Sequence, residues 1–301
     1  MSISKLSSVK PVIVTPAMLV SSTVPENDHP VWLNATTYAV GQLVIYEHVI
    51  YESVAASNAG YNPATATDKW RSRGPVNRWK LFDKSISSQT KQAGSMSYRI
   101  KVGKSVNYVG VLNVIGASSI RVRVWHPTYG FIYDNTASLR RLPLRAGWWS
   151  FYFSERRRQT QALFSNLNAI PGTEILIDIE GAADLAVGVL LVGVRRDFTL
   201  GVKKGARVGF DDYSKKGRNE YGDLDVIEGA FSSRAGFSML LRASEVDAFK
   251  AYAVECRATA CLWIGSERFE STTIYGFIKN FEVLLNYYDY ADSELELESL
   301  T

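Results

Sequence analysis

Two neighbouring stretches decide the fold: EILIDIEG at 174–181 and LAVGVLLVGV at 185–194. In the first, Ile175, Ile177 and Ile179 alternate with Asp178 and Glu180. A period of two puts the isoleucines on one face and the carboxylates on the other, the mark of a strand with one wet side. The second is apolar almost throughout, yet only about half the ~20 residues a membrane-spanning helix needs. It reads as a central strand buried on both faces.

The same signatures recur upstream. In MSYRIKV, Met96, Tyr98, Ile100 and Val102 alternate with Ser97, Arg99 and Lys101; in SIRVRVW, Ile120, Val122 and Val124 alternate with Arg121 and Arg123. YVGVLNVIG at 108–116 repeats the continuous apolar type. Strand after strand punctuated by Gly and Pro predicts a central β-sandwich over 76–200, most like a jelly roll. Beyond it, 201–301 reads as an α+β domain. GFSMLLRAS, ACLWIG, TTIYGFIKNFEVLLNY and SELELESL are its strands, and Leu295 and Leu297 alternate with Glu294, Glu296 and Glu298 in the last. Its one main helix is SEVDAFKAYAVECRA, with Ser244 and Asp247 as a start signal and Val246, Phe249, Ala253 and Cys256 as the apolar stripe. Residues 1–30, rich in Ser, Thr and Pro with no sustained period, read as an extended arm that finds its core elsewhere, and VSSTVPENDHP as turn and linker. Residues 31–75 form a small antiparallel β module, with LVIY and VIYES its clearest strands. Glu47-His48 between them lacks the Asn-Gly chemistry of a two-residue hairpin loop, which predicts a longer turn. The class is therefore mainly β.

Bulk composition narrows the function. Net charge is +4 over 301 residues, too weak for the basic stripe of a nucleic-acid binder. The basic clusters ERRRQ at 155–159, Lys203-Lys204 and Lys215-Lys216 read as solvated loops. Cys256 and Cys261 are spaced neither as a redox pair nor as half of a zinc site, so both read as buried free thiols of a reducing compartment. Lys10 and Pro11 interrupt the apolar start, which predicts a soluble chain made without export, with no membrane insertion.

Enzyme signatures are missing. His29, His48 and His126 fall in turn-like contexts outside any H-E-x-x-H pattern, and there is no G-x-S-x-G elbow, phosphate loop or G-x-G-x-x-G. The densest acidic stretch, 209–229 with Asp211, Asp212, Glu220, Asp223, Asp225 and Glu228, is interleaved with Lys215, Lys216 and Arg218. It lacks calcium-loop spacing and reads as a charged hairpin tip rather than a glycosidase pair. A non-enzymatic chain without cofactor or metal is the expectation.

The order Trp32, Tyr38, Gly41, Val44, Tyr46, Tyr51, Pro63, Trp70 resembles the small chitin-binding-type carbohydrate-binding modules of secreted glycosidases. That family grips sugar with an exposed aromatic pair just after the second strand. The matching positions here are Val54, Ala55, Ala56 and Ser57, which offer no flat face. Tyr46 and Tyr61 are the aromatics that can stand in, with Trp32 as a further candidate that, like Trp70, also suits a packing role.

A second resemblance covers nearly the whole chain. TVPENDHPVW, GPVNRWKLFDKSISSQT and RATACLWIGSERFESTTIYGFIKNFEV, in that order around a β-rich middle, look like tailed-bacteriophage tail proteins. The resemblance implies a structural part of the tail tip or baseplate, assembled in the host cytoplasm. Its partners would be other tail proteins or receptor-binding fibres, in several copies of threefold or sixfold symmetry. A receptor-binding lectin that contacts host surface glycan is the rival expectation.

Overall fold

The computed structural model describes residues 5–140, 159–198, 201–203, 206–218, 223–266, 269–285 and 288–300. It is mainly β, with large antiparallel sheets and one main helix near the C terminus. The chain divides into two compact units: Ile13–Leu191, and Met1–Val12 together with Val192–Thr301.

In the unit Ile13–Leu191, the strand Val106–His126 is the longest element lying wholly inside it. YVGVLNVIG and SIRVRVW are therefore one continuous strand, whose first part pairs with Ala162–Ala169 and whose second pairs with Gly130–Ser138. The strand Glu174–Phe198 likewise joins the two opening stretches into 25 residues. Its start pairs with Ser95–Lys101, Ile177 opposite Tyr98. Alternation reports burial faithfully here: Ile175, Ile177, Ile179, Met96, Tyr98, Ile100, Ile120, Val122 and Val124 are all buried. The continuous run is buried from Leu185 to Gly193. Gly188 is required by close approach, since a Cβ there would lie 2.7 Å from the Ile86 carbonyl oxygen. The result is sandwich-like, with the apolar side chains of the alternating strands buried.

Residues 5–30 are largely extended, with a 3-10 turn at Pro16–Met18, but they dock within their own chain. Leu6–Pro11 pairs with the end of Glu174–Phe198 on one side and with Cys261–Ile264 on the other. Leu6, Ser7, Ser8 and Val9 are fully buried. Leu19–Ser22 pairs with Ser95–Lys101. The serines conceal this burial from a polarity pattern, because their hydroxyls are satisfied internally: Ser7 donates to Asp197 at 2.6 Å, and Ser8 and the Tyr252 hydroxyl are 3.0 Å apart.

The unit completed by Val192–Thr301 is a sheet with a helix on one face. Phe231–Arg242 pairs with Tyr290–Ser299, which pairs with Thr273–Leu284. The core gathers Phe237, Met239, Leu241, Trp263, Leu295 and Leu297 against Phe249, Tyr252 and Cys256 of the helix Val246–Cys256. Val246 is only partly buried, and Tyr252 extends the stripe read from sequence. Ser244 does not cap the helix. It lies inside a 3-10 turn, Ala243–Glu245, and no side chain caps the helix start. Both cysteines are free and buried. Among the described residues no helix is long and apolar enough to cross a membrane.

Candidate functional site

The small sheet is built from Leu43–Tyr46, Val49–Ser53 and Trp70–Pro75. Tyr46 pairs directly with Val49, so the turn is the two residues Glu47 and His48, at φ +47° and +67°. The longer turn expected from sequence is therefore corrected. Left-handed backbone is unfavourable for both residue types. What holds it is tertiary: His48 Nδ1 lies 2.9 Å from Glu26 Oε2, and its ring packs 4.9 Å from Trp79. The same carboxylate accepts from Trp79 Nε1 at 2.9 Å and from Arg78 at 3.1 Å. Burial opposes the charged form of Glu26, yet the hydrogen bonds from His48 and Trp79, with the charges of His48 and Arg78, hold its carboxyl below the usual value. NRWKLFD, which contributes Arg78 and Trp79, is a 3-10 helix at Asn77–Phe82.

Both faces of this sheet are covered. Tyr38, Val44 and Trp70 form one cluster with Trp32, Tyr51 and Ala66. Ile45, Val76 and Trp79 form the other with Val14, Leu19, Ile50 and Phe82. Trp70 is buried edge-on to Tyr38, and its indole N–H donates to the Tyr61 carbonyl at 2.9 Å.

Two of the three aromatic candidates come together. Trp32 meets Tyr46 with ring centroids 5.4 Å apart and planes at 86°. The Tyr46 hydroxyl accepts from Asn62 at 2.9 Å. Tyr61 stands in the adjoining loop, 49% exposed, with the Lys69 ammonium 5.6 Å from its ring centre. A sugar ring docks on a flat, open aromatic face. A perpendicular pair offers one edge and one face, and the Tyr61 ring already meets a cation. Asn58, next along the chain after 54–57, is buried, and its amide donates to the Ser53 hydroxyl at 3.1 Å and the Lys69 carbonyl at 3.3 Å.

The acidic stretch forms a ribbon. Arg207–Asp212 pairs with Phe231–Arg242, and Lys215–Arg218 with Leu224–Ile227. Asp212 accepts from Lys216 at 2.6 Å, and the Lys216 and Ser214 hydrogen bonds pull its carboxyl far down. Asp211 pairs with Arg234 at 3.2 Å. These carboxylates are thus held by cations in an open surface. Glu220 lies outside the described residues, as do Arg156 to Arg158 and Lys204 of the basic clusters. Among the described residues no three His, Cys, Asp or Glu side chains gather to hold a metal.

The sequence reading missed that the ribbon carries bare apolar side chains. Val208, Phe210, Tyr213, Val226, Ile227 and Phe231 are all exposed, Phe210 by 65%. The signal was present in RVGFDD, where Val208 and Phe210 alternate with Arg207, Gly209 and Asp211, but alternation normally marks a covered face.

Comparison with models of known protein families finds no match, and comparison with curated proteins finds none either.

Proposed function

We propose that this chain is a structural component of a bacteriophage tail tip or baseplate, joining tail proteins or receptor-binding fibres, and present in several copies around a threefold or sixfold axis. The observation that carries the assembly reading is the ribbon: a two-stranded extension whose described residues from 207 to 218 and from 226 to 231 are exposed or nearly so, with six large hydrophobic side chains among them. A lone two-stranded ribbon is marginal in water. Contiguous exposed apolar surface is the ordinary mark of a protein contact. The tail itself comes from the resemblance of the three sequence segments, and is tested separately. Mass spectrometry of purified tailed particles from cells producing this chain is expected to find it in stoichiometric amount in the tail fraction; its absence from particles overturns the reading.

A receptor-binding lectin is the second reading, favoured by Tyr46 on the small sheet with Trp32, Asn62 and Tyr61 in the segments beside it. A glycan array with the full chain decides it: specific binding at micromolar strength, lost in Trp32→Ala or Tyr61→Ala, would put receptor contact first.

A further inference from the structure

The strand Arg207–Asp212 is a sheet edge. It pairs with Phe231–Arg242 through six matched positions, from Arg207 opposite Gly236 to Asp212 opposite Phe231, with no register shift. Among the described residues no strand pairs with its other side. A straight, bare edge offers unpaired N–H and C=O groups to any chain that approaches, and native sheets usually break such edges. Elsewhere in this chain the pairings of Leu19–Ser22, Gly130–Ser138 and Ala162–Ala169 are each interrupted by a shift. Arg207–Asp212 has no such interruption.

Its side chains sort cleanly by face. Val208 lies opposite Ala235 and Asp212 opposite Phe231, so Val208, Phe210 and Phe231 share a face with Ala235. That is the face which, further along the same strand, becomes the core at Phe237, Met239 and Leu241. Arg207, Gly209 and Asp211 point the other way. The Arg207 side chain makes no ion pair or hydrogen bond among the described residues, and Asp211 uses only Oδ2, toward Arg234.

We propose that this edge pairs with the same edge of a second copy of the chain, antiparallel across a two-fold axis at Gly209. With the two core faces on the same side, that register sets Arg207 opposite Asp211 of the second copy, and Val208 opposite Phe210 of the second copy, each twice. Opposite charges meet on one face and apolar side chains on the other, the pairs that stabilise adjacent strands. Moving the axis to Phe210 sets Val208 against Asp212 and Arg207 against Tyr213, and loses both matches. Gly209 at the axis is unobstructed, since a Cβ there meets nothing within 4 Å. The contact stands on strand geometry and holds whether or not the tail assignment does; six copies around a tail can be three such pairs.

Light scattering of the full chain over a concentration series, with a cysteine cross-link, tests this. Directly opposed residues of antiparallel strands have Cα atoms about 4.5–5.5 Å apart, within disulfide reach. Gly209→Cys is expected to give a covalent dimer on mild oxidation, and Lys216→Cys, away from the axis, is not; the native cysteines are buried and do not interfere. Phe210→Asp is expected to weaken self-association about tenfold or more with an unchanged circular dichroism spectrum. A chain that stays monomeric at every concentration overturns the proposal. So does a dimer that Gly209→Cys fails to trap, or one in which positions 209 and 216 cross-link equally.

Discussion

The small sheet at 43–75 and the ribbon at 207–231 are both made of short antiparallel strands, and both drew notice in the sequence, one for its aromatics and the other for its charge. The small sheet carries the aromatic spacing of a sugar-gripping module, yet its aromatics are used for packing: Trp70 and Tyr38 are buried, and Trp32 stands edge-on to Tyr46. The ribbon carries a dense run of charge, yet Asp211 and Asp212 are paired with Arg234 and Lys216 and its hydrophobic side chains are bare. What separates them is coverage. The small sheet has residues packed on both faces; the large apolar side chains of the ribbon stand exposed.

The sharpest way to break that contrast is to remove packing from the small sheet. Trp70→Ala should cost about 3–5 kcal/mol by denaturant unfolding, the range for a large buried aromatic. A loss under about 1 kcal/mol would mean that Trp70 is not core. Next in size is the carboxylate that pins the hairpin turn. Glu26→Ala strips the acceptor from His48, Arg78 and Trp79, and should destabilise by about 1–3 kcal/mol. The pH dependence has a defined sign. The folded pKa of Glu26 lies below its unfolded value near 4.5, so this stabilisation is full above that value and is lost as pH falls through the folded pKa. Glu26→Gln should flatten the acid limb of the stability curve, and an unchanged limb would contradict the pinning role.

Smaller again is the backbone itself. Glu47 is exposed at positive φ, so Glu47→Gly should gain up to ~1 kcal/mol by relieving the left-handed conformation; a loss would show that the turn is not strained. On the ribbon, Phe210→Asp should change unfolding stability by less than about 0.5 kcal/mol, because the ring is mostly in solvent within one chain. A large loss would make Phe210 core and erase the comparison.

Much of the frame was legible because alternation maps directly onto burial wherever one face is wet, as at Ile175, Ile177 and Ile179 or at Leu295 and Leu297. It was not legible where polar residues are buried and satisfied. Ser7 and Ser8 made a central strand look like an arm, since a hydroxyl paired with Asp197 or Tyr252 costs little to bury. Nor could local turn chemistry foresee Glu47-His48, whose positive φ is held by Glu26 and Trp79 from distant parts of the chain. The sequence offers Trp32 and Tyr46 as aromatic candidates, but the 86° between their rings is set by packing alone. The ribbon was read for its charge, because a sequence pattern cannot tell a covered apolar face from an empty one.

Protein contacts made by the ribbon are the proposed work of this chain. Cryo-electron microscopy of intact tailed particles tests it most directly. The expected result is density for the chain at the tail tip with Phe210 and Phe231 covered by a neighbouring subunit and the small sheet packed away from the host-facing surface. A ribbon standing free in solvent, with Trp32, Tyr46 and Tyr61 turned outward, would contradict it and make receptor contact the work of the small sheet.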